Sequence, residues 1–172
     1  FNIKISRKKE FQEIYNKNNL SLEEFTELEN AKSFTMNSQQ LFVRNFLSVN
    51  TPYNSLLLYH GLGTGKTCSS IGVAMEKIKY MYNTNIKKKI IFVSNPNVQH
   101  NFKQSLFDEN KLVYNKNTNE WRLLTCVGED ILKIVNPSNE NLDEIKIKQK
   151  IKVFINEWFQ FTGYTKLSND IN

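Results

Sequence analysis

Apolar residues change their spacing along the chain, and the spacing predicts the elements. In MNSQQLFVRNFLS, Leu41, Phe42, Val43, Phe46 and Leu47 cluster at helical intervals, with Thr51-Pro52 as the expected stop. SLLLY (residues 55–59) is a short apolar run between turn formers, the pattern of a buried parallel strand. KTCSSIGVAMEKIKYMY returns to helical spacing through Cys68, Ile71, Ala74, Met75 and Ile78. KKKIIFVSNP reads as a second strand, charged where it starts and apolar through IIFV. Residues 98–107 then predict a helix packing through Val98, Phe102, Leu106 and Phe107. Turn formers crowd residues 108–120, which predicts a surface excursion or a hairpin. WRLLTCVG is a third strand candidate, followed by a helix from Asp130 that Asn136-Pro137 ends. Residues 142–158 carry a long amphipathic pattern with a lysine-rich outer face, and WFQFTGY is a last strand with Gly163 at its exit. Residues 1–35 are polar and predict two helical pieces, begun at Ser6 and at Ser21, where Glu24 completes a capping box. Strands alternating with helices predict an α/β fold with a mainly parallel sheet over residues 36–172, preceded by a helical extension over 1–35.

Composition narrows the class. A chain of 172 residues with 40% hydrophobic and 23% charged residues suits one soluble globular domain. Its longest apolar runs, SLLLY and IIFV, are too short to span a bilayer, and no signal peptide pattern opens it, so no membrane or secretory role is expected. It begins at Phe1 and ends in TKLSNDIN, which suggests a piece of a longer protein. The formal charge of +6 comes mainly from lysine. That balance suits an anionic partner such as nucleic acid, and equally a lysine-rich solvated surface. Cys68 and Cys126 have no neighbours at metal-ligand spacing and read as reduced, small core residues.

The chemistry concentrates in HGLGTGKT, residues 60–67. A glycine-rich turn lets successive backbone N–H groups converge on phosphate oxygens, and the helix behind it presents its positive end to the same anion. Gly63 and Gly65 supply the turn, Gly61 and Thr64 complete its curve, and Leu62 lies within it. Lys66 is placed to reach the outer phosphates and Thr67 to ligate Mg²⁺. The general pattern G-x-x-x-x-G-K-[ST] expects glycine where His60 stands. That position shapes the start of the loop, and a structural hydrogen bond suits His60 better than a role as catalytic base. NKNT at Asn115 lacks the carboxylate that would read a guanine base.

The surroundings of this loop resemble superfamily 2 helicases and translocases, whose loop often reads A-x-x-G-x-G-K-T. QLFVRNFL resembles their helix in which a glutamine, here Gln40 with Gln39 as competitor, reads the adenine edge of ATP. IIFVSNPNVQHNFKQSLF resembles their strand-and-turn motif Ia, which implies backbone contacts to nucleic acid from Ser94, Asn95 and Asn97. TCVGED resembles motif Ib loosely. LFVRNFLSVNTPYNSLLLYHGLGTGKT is similar to helicase-like ATPases of large nucleocytoplasmic DNA viruses, a group that includes the poxvirus nucleoside triphosphate phosphohydrolase I and the early transcription factor large subunit. The similarity covers about residues 34–107, and FTGYTKLSNDI loosely.

That resemblance implies a RecA-like P-loop domain, ATP and Mg²⁺ as cofactors, and DNA-stimulated ATP hydrolysis in viral transcription or duplex remodelling. It also implies DNA as partner, with viral RNA polymerase or transcription-factor subunits beside it, and a place in the virion or host cytoplasm. Such an enzyme needs an acidic D-E-x-H or D-E-x-D after a buried strand. KVFINEW has Asn156 where the aspartate belongs and a spacing better suited to a helix. The chain is therefore expected to stop short of the acidic motif and of the second motor domain, and to be inactive by itself. Rival readings are another P-loop ATPase such as a packaging motor, or a helicase-like module that binds nucleic acid or partners without turnover.

Overall fold

The computed structural model describes residues 36–59, 61 and 63–171; the two helices expected over 1–35 lie outside them. Contacts divide the chain into two compact units with the boundary after Lys77, and each is described by itself.

In the first unit, helix α1 (Ser38–Phe46) starts from a capping box. The Asn37 side chain accepts from the Gln40 N–H at 2.8 Å, and the Gln40 side chain accepts from the Asn37 N–H at 3.0 Å. Two otherwise orphaned donors of the first turn are thereby satisfied. Leu41 and Val43 are buried. The helix ends before Thr51-Pro52, where the Thr51 hydroxyl donates to the Phe46 carbonyl at 2.6 Å. The Phe46 ring stacks on Tyr53 with centroids 4.1 Å apart.

The expected strand over SLLLY is not formed: residues 53–59 carry no regular structure, and Leu57 and Tyr59 are 86% and 93% exposed. A strand exists only where a neighbouring backbone accepts and donates its ladder bonds. Among the described residues no strand pairs with this run. Apolar composition alone cannot supply that neighbour. Helix α2 (Lys66–Asn83) follows the loop as expected, and Ile71, Ala74, Met75 and Ile78 are buried at helical spacing. Neither Cys68 nor Cys126 is a free thiol: both are disulfide-bonded, a correction to the reduced state expected from spacing. Spacing bears on metal ligation but not on the oxidation state of a cysteine.

The second unit is built on a short parallel pair. Strand β1 (Ile90–Val93) lies beside β4 (Phe159–Thr162), with Ile90 opposite Phe159 and Val93 opposite Thr162. Everything between them is the crossover that a parallel pair requires. Helix α3 (Pro96–Leu106) opens it, capped by the Asn95 side chain and with proline in its first turn, where no N–H is needed. Phe102 of α3 stacks on Phe92 at 3.9 Å and meets Phe161 edge-on, so one aromatic cluster locks helix to sheet.

The expected excursion over 108–120 is a 3₁₀ turn (Glu109–Lys111) leading into a hairpin, β2 (Leu112–Asn115) with β3 (Glu120–Leu123). WRLLTCVG was expected to join the parallel sheet. Its first residues instead pair antiparallel with β2, Tyr114 opposite Trp121. Proximity favours this: Asn119, at φ 55°, closes a local turn, and a local partner costs less loop entropy than a distant one.

Helix α4 (Gly128–Val135) follows, then α5 (Glu144–Trp158), whose Ile147, Ile151, Phe154 and Trp158 form the buried stripe. KVFINEW thus lies in a helix, as its spacing indicates. The chain passes directly from α5 into β4, then through Gly163 into α6 (Tyr164–Ile171). The described residues form a mixed α/β arrangement of six α-helices, the parallel pair and the antiparallel hairpin. Among them no helix is long and apolar enough to cross a membrane.

Candidate nucleotide-binding site

The loop between residue 61 and α2 carries the geometry that its sequence requires. Gly63 and Gly65 have φ of 76° and 80°, the left-handed region that side chains resist. A Cβ on Gly63 would meet open space, whereas one on Gly65 would overlap the Gln40 amide nitrogen. The two glycines therefore differ: Gly63 is needed for its backbone, Gly65 for backbone and clearance together.

The curve is closed by side chains. The Gly61 carbonyl accepts from the Lys66 ammonium at 2.7 Å and from the Thr64 hydroxyl at 3.0 Å. Lys66 is half-buried, and Thr67 beside it is exposed. Because α2 begins at Lys66, its first-turn N–H groups and positive dipole end face the loop. The Gly65 carbonyl accepts the first helical bond from the Ser69 N–H at 3.0 Å, with the Ser69 hydroxyl at 3.3 Å and the Gln40 amide at 3.4 Å beside it.

Gln40 is 6% exposed. Its carboxamide oxygen is turned to the Asn37 N–H and its nitrogen to Gly65, so it ties the start of α1 to the last turn of the loop. Gln39 is exposed. Asn37 is the residue that motif reading missed, and the N-x-x-Q pattern of a capping box was the available signal. His60 and Leu62 lie outside the described residues.

In the second unit, Ser94, Asn95 and Asn97 follow β1 directly. Ser94 is buried; its hydroxyl donates to the Asn95 carbonyl at 3.2 Å, and its own carbonyl accepts from the Gln99 amide at 2.8 Å. The Asn95 carboxamide oxygen accepts from the Val98 N–H at 2.9 Å as the cap of α3. Asn95 and Asn97 are exposed. Ser94 therefore shapes the turn, while the two asparagines stand at its surface. The adjacent end of β4 joins this turn through the Ser94 N–H, which donates to the Thr162 carbonyl at 3.1 Å.

No family profile matches the chain, and no solved structure matches it. Sequence relatives are viral. A "Putative ATP-dependent RNA helicase" of Acanthamoeba polyphaga mimivirus is 27% identical over 150 residues, 83% of this chain and 11% of the relative. A "Putative helicase" of Invertebrate iridescent virus 3 is 38% identical over 96 residues, 48% of this chain and 10% of the relative. The early transcription factor large subunit homolog of African swine fever virus is 40% identical over 52 residues, 30% of this chain and 5% of the relative. The chain is thus similar to helicase-like proteins of large DNA viruses and spans about a tenth or less of the length of these three.

Proposed function

We propose that this chain is the ATP-binding part of a helicase-type, DNA-dependent ATPase acting in viral transcription or DNA remodelling. Residues 36–172 would belong to its first RecA-like motor domain. The observation that carries the reading is a loop with two left-handed glycines opening directly onto α2, whose first two residues are Lys66 and Thr67. The named functions of the viral relatives support the same class.

The donor set fits a nucleoside triphosphate. Gly61 to Gly65 offer backbone N–H groups, with His60 and Leu62 completing the same loop. Lys66 would exchange its bond to the Gly61 carbonyl for phosphate oxygens, and the exposed Thr67 hydroxyl would help hold Mg²⁺, which would supply charge to offset the phosphates. Gln40 uses one acceptor and one donor site of its carboxamide within the fold. A second acceptor site and a second N–H remain, the complement of an adenine edge. Asn95 and Asn97, set by Ser94, would meet a nucleic-acid backbone without reading its sequence. Viral polymerase or transcription-factor subunits would be the protein partners, in the virion or host cytoplasm.

We infer that the chain by itself binds nucleotide without turning it over. The parallel strands β1 and β4 are followed by Ser94 and Gly163, so neither delivers a carboxylate to hold Mg²⁺ and activate water. Titration of a fluorescent ATP analogue tests the site: saturable, Mg²⁺-dependent binding is expected, weakened at least about tenfold by Lys66→Ala, roughly the loss of one charge-assisted contact. Equal binding by Lys66→Ala overturns the site. Phosphate release by the wild-type chain that Lys66→Ala abolishes overturns the absence of turnover.

A further inference from the structure

The capping box that starts α1 also reaches the glycine loop. In such a box a glutamate or a glutamine at the third helical position serves the cap equally well. Gln40 has a second task that a carboxylate could not perform: its amide nitrogen donates to the Gly65 carbonyl at 3.4 Å, 25 residues along the chain. Its oxygen accepts from the Asn37 N–H at 3.0 Å. Reversing the carboxamide would set N–H against N–H at Asn37 and oxygen against oxygen at Gly65. Gln40 is 6% exposed, so water does little to offset that mismatch. The carboxamide is therefore held in one sense. Asn37 secures its oxygen end: the Asn37 side chain accepts from the Gln40 N–H at 2.8 Å and fixes the extended cap backbone, whose own N–H then meets the Gln40 oxygen.

We propose that Asn37 is a positioning residue for base selection, acting through Gln40; the inference rests on the nucleotide site proposed above. In the held sense Gln40 keeps one acceptor position on its oxygen and one N–H on its nitrogen. Adenine presents a donor at N6 beside an acceptor at N7 and can use both. Guanine presents acceptors at O6 and N7, so one of them faces the Gln40 oxygen without a proton between. A carboxamide free to turn offers adenine its two bonds less often and costs guanine nothing. Removing the Asn37 acceptor frees the oxygen end, so selectivity falls while Lys66 and Thr67 are untouched.

Titration of the 172-residue chain with ribose-labelled fluorescent ATP and GTP in Mg²⁺ reads base selection directly, because the label leaves the base edge open. The wild-type chain should prefer ATP at least about tenfold, the discrimination of one bidentate pair. Asn37→Ala and Asn37→Gly should each reduce that preference to about threefold or less, through weaker ATP binding with GTP binding unchanged. Glycine is a good helix start without a side-chain acceptor, so Asn37→Gly separates positioning from folding. Asn37→Asp keeps the acceptor and should keep the preference. A capping role alone would weaken both nucleotides in parallel, so an unchanged ATP-to-GTP ratio in Asn37→Gly overturns the proposal. Equal binding of the two nucleotides by the wild-type chain overturns it as well. Nucleotide binding that Lys66→Ala leaves intact is a separate failure: it removes the site itself, and this inference with it.

Discussion

Gly65 is where the loop is least tolerant. At φ 80° an alanine pays about 1–2 kcal/mol for the left-handed backbone. Its methyl would also displace the Gln40 amide from the loop. Gly63 shares the backbone requirement, but nothing lies in the path of its Cβ. Gly65→Ala should therefore lower the melting temperature and nucleotide affinity more than Gly63→Ala, and thermal scans with and without ATP separate the two. Equal effects would show that Gln40 does not press on the loop. The glycines were legible in the sequence because their need is local. The clearance at Gly65 was not, because it depends on a side chain from another helix, which only packing brings near. The same holds for Gln40: its presence in an α-helix could be read, but not that capping and loop contacts occupy part of its carboxamide.

Helix starts follow the short-range rules. Asn95 caps α3 and Asp143 caps α5, each accepting a backbone N–H three residues on. Asn95→Ala should cost about 1 kcal/mol, measured by chemical denaturation, through loss of one satisfied donor. Because that cap sits in the turn proposed to meet nucleic acid, weaker binding by Asn95→Ala has to be judged against Asn97→Ala, which caps nothing. The helices over 38–46, 66–83, 96–106 and 144–158 were legible because caps and apolar stripes lie within a few turns of each other. Strands were less so. IIFV and FQFT form strands as expected, SLLLY does not, and EWRL pairs with a nearer segment. Strand formation is a property of two segments, and one apolar run cannot declare its neighbour.

Across the second unit, long-range charge contacts join elements that lie far apart in the chain. Glu109, in the 3₁₀ turn, meets Lys152 at 2.7 Å and Lys148 at 3.2 Å on α5, and Lys148 also meets Glu144 at 2.7 Å. The hydrogen bond from Lys152, then that from Lys148, holds the Glu109 carboxyl below the usual carboxylate range. Bonds to Glu144 and then Glu109 raise Lys148 above the usual lysine value. The lowered Glu109 stabilises the fold above its unfolded value of about 4.3, and that contribution disappears as pH falls through its lower folded value. The melting temperature should accordingly drop on acidification below about pH 4, and Glu109→Gln should show a shallower drop from a lower neutral plateau. Parallel curves would mean the cluster contributes nothing. By itself the sequence determined the helices, their caps, the glycine loop with Lys66 and Thr67, and the viral helicase resemblance, since each depends on residues close together in the chain. Only the tertiary structure decided which strands pair, how Gln40 meets Gly65 and where Glu109 finds its lysines. Those contacts join positions distant in sequence, and loop closure and packing select among partners that local spacing leaves equal.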